Sequence, residues 1–108
     1  MNTITYNNKT YSKPFRVGPT KKHLFIDYND KTYEIPKPFN ECYFGKEPTK
    51  EITLTNRFSG ESATVPAFAV AIYDTILGAE QTQNYDLMQK GLNWFGRNFA
   101  KQYMILLD

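Results

Sequence analysis

A chain of 108 residues is long enough for one hydrophobic core and short for two, and 41% hydrophobic against 22% charged residues excludes a disordered chain. No apolar run approaches the ~20 residues that cross a bilayer, and Met1 to Lys9 lacks a basic-then-apolar signal pattern, so neither a membrane span nor a leader is expected. Cys42 is the only cysteine, which excludes an internal disulfide, fits a reducing compartment and makes the cytoplasm the expected location.

The net charge of +2 is unevenly distributed. Lys9, Lys13, Arg16, Lys21 and Lys22 all precede Asp27, the first acidic residue, which leaves eight Lys and Arg against all 11 Asp and Glu. Tyr6, Tyr11 and Phe15 interleave with those cations. We therefore expect a single domain over 1–108 with a basic, aromatic N-terminal segment at 1–22, able to meet a polyanion or an acidic protein surface.

In chain order, Tyr6-Asn-Asn-Lys-Thr-Tyr11 reads as a short hairpin around Asn7-Asn8. Pro14, Gly18 and Pro19 interrupt the stretch from Lys13 to Lys22, which reads as loop. His23-Leu-Phe-Ile-Asp-Tyr28 alternates, with Leu24, Ile26 and Tyr28 on one face, and Thr32-Tyr-Glu-Ile35 returns as its partner after an Asn29-Asp30 turn. Phe39, Tyr43 and Phe44, among Pro36, Pro38 and Gly45, are too apolar to stay in water, so that loop should fold over a core. Glu51-Ile-Thr-Leu-Thr55 and Glu61-Ser-Ala-Thr-Val65 flank Ser59-Gly60 as a further hairpin.

At Pro66 the period changes. Phe68, Ile72 and Ile76, with Ala69, Tyr73 and Leu77, form a helical stripe to Gly78 or slightly beyond, with Thr64 as its expected cap. Asn84 should cap a second helix with Asp86 in its first turn. Its stripe is Met88, Leu92, Phe95 and Phe99, continued by Tyr103 and Leu106, and Gly96 to Asn98 is where it should break. Strands first and helices last imply an α+β fold: a small antiparallel sheet from two or three hairpins, covered by a C-terminal helical hairpin. Met104, Ile105 and Leu107 fall off the stripe and are the candidate hydrophobic contact.

The segments Thr64-Val-Pro-Ala-Phe-Ala-Val-Ala-Ile-Tyr-Asp74, Asn84-Tyr-Asp-Leu-Met-Gln-Lys-Gly-Leu-Asn-Trp-Phe95 and the closing Tyr-Met-Ile-Leu-Leu-Asp resemble parts of small uncharacterised tailed-bacteriophage proteins. The resemblance covers less than half of the chain and transfers no active site. It implies a viral accessory role in the host cytoplasm, with modulation or inhibition of a host factor as its concrete form.

Chemistry has little to build on. A nucleophile needs an activating base, and Cys42 and the single histidine, His23, sit in no nucleophile turn. Cys42 reads as a small packed hydrophobe. A structural zinc needs four Cys or His ligands, the Asp27 and Asp30 spacing matches no calcium loop, and no glycine-rich phosphate loop is present. Asp27, Glu34 and Glu41 read as exposed strand and loop carboxylates. We expect no catalytic site, no cofactor and no metal, and no membrane partner. The leading expectation is a non-enzymatic protein-binding module, docking on a protein partner or a second copy. The alternative is a nucleic-acid-binding protein that uses Tyr6, Lys9, Tyr11, Lys13, Phe15, Arg16, Lys21 and Lys22 for stacking and phosphate contacts.

Overall fold

The structure, a computed structural model, describes residues 3–6, 9–12, 15–18, 23–41, 44 and 47–107, and the chain divides into two compact units, Met1–Cys42 and Tyr43–Asp108. Its class is α+β, with antiparallel strands first and three helices last.

In the first unit β1 (Thr3–Tyr6) pairs with β2 (Lys9–Ser12), while Asn7 and Asn8, the expected turn, lie outside the described residues. The expected loop after Lys13 is corrected in part: Phe15–Val17 forms β3, antiparallel to β4 (Leu24–Tyr28). Three residues between Pro14 and Gly18 suffice for a strand because only an edge is needed there, which proline tolerates beside it. β4 turns back into β5 (Lys31–Ile35) through Asn29 and Asp30, whose φ values of 51° and 63° are those of a tight two-residue hairpin turn. Leu24, Ile26, Tyr33, Ile35, Phe15 and Phe39 are buried, as the alternation predicts for β4 and β5. Tyr28 is only half-buried, its ring 6.3 Å from that of Tyr33.

The second unit opens with the hairpin of β6 (Glu51–Thr55) and β7 (Ser62–Pro66). Its turn is built by Asn56, whose Oδ1 accepts from the Phe58 and Ser59 amides, and by Gly60 at φ 78°, a conformation that favours glycine. Helix α1 (Ala67–Gln81) starts directly from β7. Thr64 does not cap it, contrary to expectation. The Thr64 hydroxyl is engaged across the strands by Thr53 at 3.0 Å, and the first helical amides, of Ala67 and Phe68, donate instead to the Lys50 and Pro48 carbonyls.

Helix α2 (Tyr85–Asn98) is capped as expected by Asn84, whose Oδ1 accepts from the Leu87 amide, and it packs on α1 as a helical hairpin. The helix breaks at Phe99, one residue beyond the expected stretch, and α3 (Ala100–Leu106) follows. Helices α1 and α3 pack on the β6–β7 hairpin. The core they close is aromatic: Phe68 lies 6.0 Å from Phe99 and 6.3 Å from Trp94, and Phe95 lies 5.7 Å from Phe99. Each such pair adds about 0.5–1.5 kcal/mol beyond the area it buries. Trp94 is buried although the expected stripe omitted it, because the face of α2 turned to the core is centred on Gly91, Trp94 and Phe95, leaving Met88 and Leu92 half-buried.

Candidate functional site

The basic segment is only partly described. Lys13, Lys21 and Lys22 lie outside the described residues, as do the side chains of Tyr6 and Lys9 on their strands. Phe15 is 8% exposed, inside the first unit's core, with Tyr11 packed at 5.1 Å and the Tyr11 hydroxyl donating to the Asn40 carbonyl. Arg16 is exposed, and it spends its guanidinium on Asp27 Oδ1 at 2.7 Å and on the Thr32 hydroxyl, which also donates to that carboxylate. Those hydrogen bonds, the one from Arg16 first, hold the Asp27 carboxyl below its usual range. Asp27 is thus a bridge across three strands. Next to it, His23 Nδ1 approaches Glu34 at 2.7 Å on the sheet surface.

Neither a nucleophile pair nor a metal centre is assembled among the described residues. Cys42 and the Glu41 side chain lie outside them, and no three His, Cys, Asp or Glu side chains gather to hold an ion. No helix among them is long and apolar enough to cross a membrane.

The second unit carries a cleft of about 630 Å³. Its walls come from three places in the sequence: the hairpin turn at Thr55, Asn56, Arg57 and Phe58, the α1 face at Tyr73, Leu77, Glu80 and Gln81, and the closing pair Leu106 and Leu107. Asn56 joins two of those walls through a bond from its Nδ2 to the Ile105 carbonyl at 2.9 Å. Phe58 stands at the rim, 88% exposed, with the Arg57 guanidinium 5.2 Å from its ring centre. A large apolar ring left in water beside a cation is a feature of contact surfaces.

The expected hydrophobic contact at the end of the sequence divides between these surroundings. Leu107 is half-buried and lines the cleft, Ile105 is half-buried and contributes its carbonyl, and Met104 is 67% exposed. Leu106, on the stripe, is buried. Sequence reasoning missed Phe58 and Arg57, since one aromatic in a polar turn carries no periodicity. The chain matches no protein-family model, no curated protein and no solved structure.

Proposed function

We propose that this protein is a non-enzymatic protein-binding module and that the cleft beside the β6–β7 turn is its docking site. The exposure of Phe58 at the rim, with Arg57 over its ring, carries this reading. Aromatic and arginine side chains dominate binding energy where they seat in a partner, and the apolar floor of Leu77, Leu106 and Leu107 gives the partner's side chains a place to be buried. The resemblance to tailed-phage proteins supports a host protein as that partner, with modulation or inhibition in the host cytoplasm as the outcome.

Nucleic-acid binding by the N-terminal segment is the weaker proposal, because Phe15 is buried and Arg16 is held by Asp27, which leaves fewer groups to stack or to neutralise phosphate. Affinity capture from a bacterial lysate, with and without nuclease, tests both. A partner that survives nuclease and is lost from the Phe58→Ala and Arg57→Ala variants supports the cleft. A partner retained by both variants removes it, and one lost on nuclease treatment transfers the function to nucleic acid.

A further inference from the structure

The two edges of the β6–β7 hairpin differ. Lys50 with Ala67, and Asn56 with Glu61, are joined by backbone bonds, so with the register Thr53↔Thr64 the even-numbered residues of β6 point their amides and carbonyls at β7. Those of Glu51, Thr53 and Thr55 point away from it. On the far side of β7 the Thr64 carbonyl, facing outward for the same reason, accepts from Gln102 Nε2 of α3, which packs along that strand. No element among the described residues of this unit does the same for β6.

Glu51, Thr53 and Thr55 are exposed, and Ile52 and Leu54, on the inner face, are only half-buried where Ala63 and Val65 opposite them are buried. This strand has no proline, no bulge and no inward charge, the usual devices that blunt an edge.

We propose that the outer edge of β6 pairs with β6 of a second copy of this chain, antiparallel about a two-fold axis at Thr53, to make one four-stranded sheet. The segment is complementary to itself in that register. Outward groups of Thr53 meet those of Thr53, and those of Glu51 meet Thr55. Ile52 lies beside Leu54 on the inner face, extending each copy's apolar surface over the other. Glu51 faces Thr55 of the second copy, and Arg57 of that copy follows in the turn just beyond it, so the charge nearest Glu51 across the edge is of opposite sign. A register of the other parity would set the outward groups of one copy against residues whose amides and carbonyls already bond to β7, and no ladder could form. This inference rests on the strand edge and not on the occupant of the cleft, although Thr55 and Arg57 belong to both surfaces.

Five-residue edges bury little area, so the dimer is weak, with a dissociation constant of about 1 μM to 1 mM. Sedimentation equilibrium of the whole chain should show a monomer–dimer equilibrium in that range. Thr53→Lys places two cations on the axis and should weaken association about fivefold or more, while Glu51→Arg and Arg57→Glu should each weaken it and their combination restore it. Restoration by the charge swap also guards against a Thr53→Lys variant that folds poorly, since a damaged fold is not repaired by a second change. A chain that stays monomeric throughout overturns the proposal. So does a dimer indifferent to both Thr53→Lys and the charge changes, or an extended peptide that occupies the edge while the protein remains monomeric.

Discussion

Asn56 Nδ2 donates to the Ile105 carbonyl at 2.9 Å, tying the β6–β7 turn to the last turn of α3 across 49 residues of sequence. The same side chain uses its Oδ1 to accept from the Phe58 and Ser59 amides, so one residue shapes the rim of the cleft and fixes its far wall. A rim held at both ends presents Phe58 with little ordering left to do on binding, which favours affinity.

Asn56→Asp keeps the acceptor for the turn and removes the donor to Ile105, whereas Asn56→Ala removes both. With each bond worth about 0.5–1.5 kcal/mol net, the alanine variant should lose more stability than the aspartate variant. Hydrogen exchange locates the difference. Exchange at the end of α3 should quicken in both, and exchange at Phe58 and Ser59 only in the alanine variant. Equal protection at Phe58 in both would show that the Oδ1 bonds do not hold the turn.

Leu106 is 5% exposed and Met104 is 67% exposed, two residues apart on one helix. Leu106→Ala should cost about 2–5 kcal/mol, and ending the chain after Lys101 should lower the thermal midpoint markedly or give an insoluble product. Met104→Ser should stay within about 0.5 kcal/mol. A truncated chain that melts like the full one would show that α3 adds nothing to the core.

Asp27 makes a pH dependence with a definite sign. Its carboxyl titrates lower in the folded chain than in the unfolded one, because Arg16 and Thr32 hydrogen-bond to the charged form. The stabilisation is therefore complete above the ordinary carboxylate value of about 3.9 and is lost as the pH falls from there through the lower folded value. Both partners are half in water, so screening limits the pair to at most about 1 kcal/mol. Thermal melts of Asp27→Asn and of the native chain should differ near neutral pH and converge in acid. A gap that widens in acid would reverse the assignment.

Much of this architecture is legible locally. Asn29 and Asp30 announce a tight turn because those side chains tolerate positive φ, and Asn84 announces a helix start because its Oδ1 reaches the Leu87 amide. β3 was hidden because three residues between turn-formers have no period, and only pairing with β4 makes them a strand. The capping role of Thr64 failed because a hydroxyl at a cross-strand position has a second candidate partner, Thr53, and took it. The cleft could not be read at all. Its walls lie at 55–58, 73–81 and 106–107, and nothing in any one of those stretches reports on the others.

Two helical glycines separate local propensity from packing. Gly78, inside α1, has open space where a Cβ would stand, while a Cβ on Gly96 in α2 would rest 3.5 Å from the Tyr103 ring, an ordinary contact. Neither has a positive φ, so alanine fits both backbones. Gly78→Ala should therefore stabilise the fold by about 0.5–1 kcal/mol, the full helical preference of alanine over glycine. Gly96→Ala should gain at least as much if the Tyr103 contact is attractive, since it adds dispersion between α2 and α3 to the same preference. Denaturant melts of both variants measure this. A loss at Gly96 beside a gain at Gly78 would mean that the Tyr103 ring does not accommodate a methyl group at that position and that glycine is required there for packing.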